Sequence, residues 1–221
     1  MSATTRLVLF DLDGTLIDSA PDLAAAANAM RIARRMDPLP LSTLRPMVGA
    51  GARGMVGLAL GVAPGESGYD DLRAEFLERY EQALLHHTVV FEAMQPVLAR
   101  LESEPKPWGI VTNKQERFTR PIVDGLGLDR RAAVVICGDT TPHAKPHPAP
   151  LIEAARRAGV ATEHCVYVGD DARDVQAGRA AGMAVLAAGW GYLGDGHAVE
   201  AWGADAVLSD PAELLQWLAL A

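Results

Sequence analysis

Four groups of side chains have the types and spacing that reactive chemistry needs. In Asp11-Leu-Asp-Gly-Thr15, one carboxylate closes an apolar run and a second follows two residues later. Asp11 can attack an electrophilic centre. Asp13, beyond the end of the run, can exchange a proton with a leaving group. Gly14 lets the chain turn sharply after them, and the Thr15 hydroxyl can bond locally to fix that turn. The second group, Val168-Gly-Asp-Asp-Ala-Arg-Asp174, also follows an apolar run. Its oxygen ligands suit Mg²⁺, which favours octahedral geometry and keeps several waters. Acids at a helix start are stabilised by the helix dipole anyway, so this group gains its meaning from Asp11 and Asp13. The third and fourth pieces are Thr112, in Val-Thr-Asn-Lys114, and Lys145, in Ala-Lys-Pro-His147. A hydroxyl at a strand end can bind a phosphoryl oxygen, and an amine can neutralise a dianion or a nucleophile. His143 and His147 are four apart, but the Pro-His-Pro context argues against a helix presenting both to a metal.

These side chains need elements that bring them together. Arg6 to Asp11 is a short continuous apolar run ending in an acid, which reads as a buried parallel strand. Similar runs recur at Trp108 to Thr112, Ala133 to Cys137, Cys165 to Gly169 and Ala184 to Ala188, with a weaker one at Asp205 to Leu208. Helical spacing separates them, in Met94, Val97, Leu98 and Leu101 and again in Phe118, Ile122, Val123 and Leu126. Asp210-Pro-Ala-Glu213 predicts a last helix with an acidic N-cap, Pro at its first position and Glu at its third. Alternating strands and helices imply an α/β fold on a parallel sheet, whose active site belongs at the carboxyl ends of the strands. Asp11, Thr112 and Asp170 all fall there.

One stretch breaks the alternation. From Asp18 to His87 the pattern predicts no strand. Ser19-Ala-Pro-Asp22 starts a helix carrying Leu23, Ala26, Met30 and Ala33, and Leu72, Phe76, Tyr80 and Leu84 repeat every four residues. Between them lies Gly49-Ala-Gly-Ala-Arg-Gly54, a candidate for a loop facing the site. An insert of roughly 70 residues is too long for a connection. The expected division is a core of residues 1–17 and 88–221 with a helical domain of 18–87.

The chain has 221 residues, 20 basic against 28 acidic, for a net charge of −8. That balance disfavours nucleic acid or an anionic membrane as a partner. No apolar run approaches the roughly 20 residues of a membrane span, and no secretory leader is recognisable, so a cytoplasmic location is expected. Cys137 and Cys165, the two cysteines, are too far apart for a Cys-x-x-Cys pair.

The four groups, in this order from Asp11 to Asp174, resemble the haloacid dehalogenase superfamily of phosphohydrolases. The insert resembles the helical cap of its phosphoglycolate phosphatase and phosphoglucomutase branch. Val48-Gly-Ala-Gly-Ala-Arg53, Trp190-Gly-Tyr192 and Gly203-Ala-Asp205 are most similar to bacterial phosphoglycolate phosphatases, with N-acetylmuramic acid 6-phosphate phosphatases close by. The resemblance implies a Rossmann-like core under a helical cap, and Mg²⁺-dependent hydrolysis of a small phosphate monoester through an aspartyl-phosphate. It implies that Asp11 is the nucleophile and Asp13 the general acid, that Thr112, Asn113 and Lys145 bind phosphate, and that Asp11, Asp13 (through its carbonyl) and Asp170 hold the metal. Arg53 is a candidate for pairing with a polar group of the substrate. Asp171 and Asp174 receive no role. A sugar-phosphate phosphatase stands as the alternative; a phosphomutase shares the same core. A phosphoacceptor signalling module, from a different class, is argued against by Asp13 and the insert.

Overall fold

The structure is a computed structural model and describes residues 5–104, 106–194, 196 and 198–220. The outer limits expected for the core, residues 1 and 221, lie outside the described residues. Its centre is a six-stranded parallel sheet of β1 (Leu7–Phe10), β4 (Trp108–Val111), β5 (Val134–Ile136), β6 (Cys165–Gly169), β7 (Ala184–Ala188) and β8 (Ala206–Leu208). The spatial order is β5-β4-β1-β6-β7-β8, with Val8 opposite both Trp108 and Val166. All four residues of β1 are buried, which is why this strand reads as an unbroken apolar run.

Successive side chains of a strand point to opposite faces, and β1 supplies both layers of the core. Val8 and Phe10 join Met94, Val97, Leu98 and Leu101 of α5 (Met94–Ser103) and Phe118, Ile122 and Val123 of α6 (Glu116–Gly125). Leu7 and Leu9 join Leu151, Ala154 and Ala155 of α7 (Ala149–Ala158) and Ala177 of α8 (Ala172–Ala180). Burying one such aliphatic side chain contributes roughly 1.5–3 kcal/mol, so the strand that leads into Asp11 is firmly anchored from both faces. A last helix, α9 (Ala212–Trp217), starts one residue later than expected, with Pro211 in the capping position; Asp210 still accepts the Ala212 N–H at 2.8 Å, while Glu213 reaches back to Ser209.

Between β1 and α5 lie α1 (Ala20–Ala33), α2 (Leu41–Leu44), a 3₁₀ turn over Arg45–Ala50, α3 (Gly51–Leu60) and α4 (Tyr69–Gln82). The chain leaves the sheet through β2 (Ile17–Asp18) and returns through β3 (Val89–Val90), which pair antiparallel. This ribbon was not foreseen. Strands of two residues show no periodicity for a sequence pattern to detect. Asp22 ties the same two passages together from inside, accepting the backbone N–H groups of His87 and Thr88 and the Thr88 hydroxyl while fully buried. Gly49 to Gly54 is also not a loop. The 3₁₀ turn runs to Ala50 and α3 begins at Gly51. No helix among the described residues is long and apolar enough to cross a membrane.

Candidate active site

In parallel order, the carboxyl ends of β1, β4 and β6 come side by side, at the switch point where successive connections run to opposite sides of the sheet. Asp11 follows β1 and donates its N–H to the Val168 carbonyl at 2.8 Å. Thr112 follows β4, and Asp170 follows β6. Gly14 has φ +86° and, like Gly191, packs so closely against the Asp170 side chain that a Cβ at either position would overlap it. Two glycines therefore allow the turn after β1 and the loop after β7 to close on one acid.

Lys145 is the hub. Its ammonium, nearly buried, lies 2.9 Å from Asp11 Oδ1 and 2.7 Å from Asp174 Oδ1, and donates to the Val111 carbonyl at 3.0 Å and the Tyr167 hydroxyl at 2.6 Å. Tyr167 in turn lies 3.1 Å from Asp174 Oδ1. Burial works against the charge on Lys145, but Asp11 and Asp174 outweigh it and hold the ammonium above the ordinary lysine range. Asp174 so acquires a role that the sequence left blank: it locks Lys145. It also completes a capping box with Asp171 at the start of α8, and Asp171 pairs with Arg173 at 2.7 Å.

Asp11, Asp170 and Asp174 each offer an oxygen within 4.8 Å of the others. Burial, more than any neighbour, pushes Asp11 up to about 7, against the opposing pull of Lys145; burial and the charges of Asp11 and Asp174 push Asp170 well above the carboxylate range. Asp11 Oδ1 is buried and accepts no hydrogen bond, despite the nearby ammonium. Three crowded acids whose oxygens share one neighbourhood, with only one ammonium among them, could hold a hard divalent cation, and the residues fit such an ion. Asp170 is aimed by Thr15 Oγ1 at 2.8 Å and by the Tyr192 N–H at 2.8 Å. Thr15 thus reaches across the fold to Asp170 instead of bonding locally, because the Gly14 turn brings it beside the β6 end.

Asp13 points elsewhere. Its carboxylate takes the Lys114 ammonium at 2.9 and 3.1 Å and the Ser19 hydroxyl at 2.5 Å, so it contributes no carboxylate to the acid cluster. Asn113 is engaged from one side. Its side-chain amide pairs with both the N–H and the C=O of Lys145, each at 2.9 Å. It shapes the lysine loop, and its second Nδ2–H makes no hydrogen bond among the described residues at the cavity that Asn113 lines. Thr112 Oγ1 accepts the Lys114 N–H at 3.1 Å and lies at the cavity wall.

The cavity, about 340 Å³, opens between these strand ends and the helices above them. Asp11, Asp13, Thr112, Asn113, Lys145 and Asp170 all line it. The opposite wall is largely apolar, from Leu23, Val48, Phe76, Leu77 and Phe118, with Tyr80 and Arg73 from α4. Arg53 is not there: it lies exposed on α3, one residue past the stretch Gly49 to Ala52 that does face the cavity. Two contacts cross the cavity. Arg173 Nη2 donates to the Gly49 carbonyl at 2.5 Å, and Lys114 lies 4.9 Å from the centre of the Tyr80 ring. Lys114, Tyr80, Tyr167, Arg73 and Arg173 were not singled out from sequence. Lys114 and Arg173 carried a signal, the first standing next to Thr112 and Asn113 and the second inside the Val168 to Asp174 group.

The haloacid dehalogenase-like hydrolase family model matches residues 8–188. A phosphoglycolate phosphatase of Xanthomonas campestris is 48% identical over 213 residues, covering 95% of this chain and 94% of its own. An N-acetylmuramic acid 6-phosphate phosphatase of Pseudomonas putida is 42% identical, with 95% and 94% covered. The crystal structure of a predicted phosphoglycolate phosphatase from Haemophilus somnus superposes with a TM-score of 0.85 at 25% identity, covering 98% of this chain and 99% of that one.

Proposed function

The chain belongs to the haloacid dehalogenase-like hydrolase family, and from that premise we propose that it is a Mg²⁺-dependent phosphatase acting on a small phosphate monoester of the phosphoglycolate type. The observation that carries this reading is the gathering of Asp11, Asp170 and Asp174 within 4.8 Å of one another, with Lys145 paired to Asp11 and Asp174.

Asp11 is positioned to attack phosphorus and form an aspartyl-phosphate. The obstacle is repulsion between a carboxylate and a phosphate dianion. Lys145 offsets part of it from one side of Asp11, and Thr112 offers a hydroxyl to a phosphoryl oxygen. A divalent cation held by Asp11, Asp170 and the Asp13 carbonyl, with Asp174 in reach, would neutralise the rest. Asp13, two residues from the nucleophile, gives its proton to the departing alcohol and later takes one from the water that hydrolyses the acyl phosphate. Lys114 and Ser19 hold its carboxylate in the interim. Helices α1 to α4 act as the cap, closing over the substrate and excluding water.

A second reading rests on size. A cavity of about 340 Å³ is larger than a two-carbon phosphate ester requires, which favours keeping a sugar phosphate, as the name of the Pseudomonas putida relative indicates for that protein. The test is release of inorganic phosphate from 2-phosphoglycolate and from sugar phosphates with Mg²⁺. Wild type is expected to turn over, a chelator to stop it, and Asp11→Asn to lower turnover more than about a thousandfold with an unchanged circular dichroism spectrum. Full activity in that variant would remove the nucleophile.

A further inference from the structure

The Tyr80 hydroxyl has no hydrogen-bond partner, although Tyr80 is only 2% exposed and lines the cavity. Its ring is well fixed. It stacks with Phe76 at 6.5 Å between centroids and meets Phe118 at 5.6 Å. A buried phenol normally finds a partner, because leaving its O–H unmet forfeits a hydrogen bond and its hydration together. Among the described residues none meets it in hydrogen-bond geometry; the Lys114 ammonium, 4.9 Å from the ring centre, stands beside the hydroxyl oxygen as a charge and cannot accept its proton.

Its surroundings say what the missing partner is. Lys114 connects Tyr80 to Asp13, touching the ring on one side and both carboxylate oxygens on the other. Tyr80 therefore stands next to the place where the alcohol departs, not at the phosphate pole around Lys145. The neighbouring cation makes a lone pair unattractive to a second donor and favours an acceptor facing the hydroxyl. Burial keeps the phenol protonated, so it has a proton to give.

Resting on the phosphatase reading, we propose that the Tyr80 hydroxyl is a specificity-determining donor that binds an acceptor oxygen on the alcohol half of the substrate. The favoured substrates are phosphate esters whose carbon skeleton carries such an oxygen next to the ester carbon. A site that offers a buried donor rejects the analogue lacking the matching group far more strongly than an apolar wall can.

The test compares kcat/KM for 2-phosphoglycolate, 2-hydroxyethyl phosphate and ethyl phosphate, which differ in that one group: carboxylate, hydroxyl and none. Wild type should prefer the first over the third at least tenfold, with the hydroxyl ester showing whether the charge matters. Tyr80→Phe keeps the ring and its packing. It should erase at least tenfold of that preference, mainly through KM, while ethyl phosphate turnover and inhibition by inorganic phosphate stay within twofold. A wild type that ranks the three esters equally, or a Tyr80→Phe variant that keeps the preference, overturns the proposal. So does a parallel shift in phosphate inhibition, which would assign the loss to the shared phosphate pole. If the wild type releases phosphate from no ester, the phosphatase reading itself fails and this inference falls with it.

Discussion

The two walls of the cavity are built on opposite plans. At the sheet end, almost every polar atom is held from several directions: Lys145 by four oxygens, Asp170 by Thr15 and Tyr192, Asp174 by Lys145, Tyr167 and the Asp171 N–H. At the helical wall, polar groups are sparse and unmatched: Tyr80 lacks a partner, and Arg73 makes no ion pair among the described residues. The first wall is preorganised for one charge distribution, which is what phosphoryl transfer asks of a protein. The second leaves its polar groups to be satisfied by whatever occupies the space. On the function proposed above, chemistry and selectivity would reside on different elements, and perturbing them should separate.

The largest effect expected from breaking this contrast is at Lys145. Lys145→Met removes the cation that pairs with Asp11 and Asp174 in a cluster of three largely sequestered acids. Losing one partner of a buried pair costs about 3–5 kcal/mol, and here both Asp11 and Asp174 lose theirs. Chemical denaturation should show a drop of that order, together with loss of turnover. A variant as stable as wild type would mean the sheet wall is less interlocked than its distances imply.

A smaller effect follows from the crowding of acids. Asp11 is about 7 in the folded protein against 3.8 as the ordinary value. A folded-state value raised above the unfolded one contributes stability that is fully present below pH 4 and is lost as pH rises through 7. Metal-free protein should therefore lose on the order of 2–4 kcal/mol across that window relative to Asp11→Asn, which cannot ionise there. Mg²⁺ should restore it by binding the ionised form. Thermal melts at pH 4 to 8, with chelator and with Mg²⁺, measure this directly. Parallel curves for wild type and variant would show that burial of Asp11 carries no such penalty.

The sheet wall was also the more legible in sequence. Asp11, Asp13, Thr112 and Asp170 each close or follow a strand-like apolar run, so a linear pattern marks them and the parallel topology gathers them; Lys145 reaches the same place from a Pro-containing loop. What the pattern could not supply is direction. Nothing in the spacing says which way the Asp13 and Asp170 carboxylates point; the structure turns one to Lys114 and the other to the acid cluster. Asn113 reads as a phosphate ligand beside Thr112, but the loop carrying Lys145, 32 positions away, claims both ends of its amide. The helical wall was least legible. A period of four places Phe76 and Tyr80 on one buried face and says nothing about which of them brings a hydroxyl to a cavity.

Lys114 spans the two walls, so its removal tests whether they are coupled. Lys114→Met keeps the length of the side chain but takes the cation from Asp13 and from the Tyr80 ring. General acid–base catalysis is worth roughly 10²–10⁴ in rate, and misplacing the acid without deleting it should cost about 10- to 100-fold in kcat. Single-turnover kinetics with an activated ester, whose leaving group needs no proton, should recover most of the loss. An equal loss on both esters would place Lys114 with the phosphate-binding groups instead.

The smallest effects distinguish two arginines on the helical side. Arg53 is exposed on α3 and outside the cavity, whereas Arg73 of α4 lines it. The first has its place near the end of a Gly-rich stretch, but α3 sets Gly51 and Ala52 against the cavity and leaves Arg53 exposed and outside it. Arg53→Ala should leave kcat/KM within twofold, as surface changes generally stay within about 0.5 kcal/mol. Arg73→Ala should raise KM for an anionic ester severalfold with kcat unchanged, the signature of lost uniform binding, and the increase should shrink at high salt because the guanidinium is exposed. The reverse ranking of the two variants would mean that the helical wall meets its substrate through α3, and that the division between the walls has been drawn one helix too far along the chain.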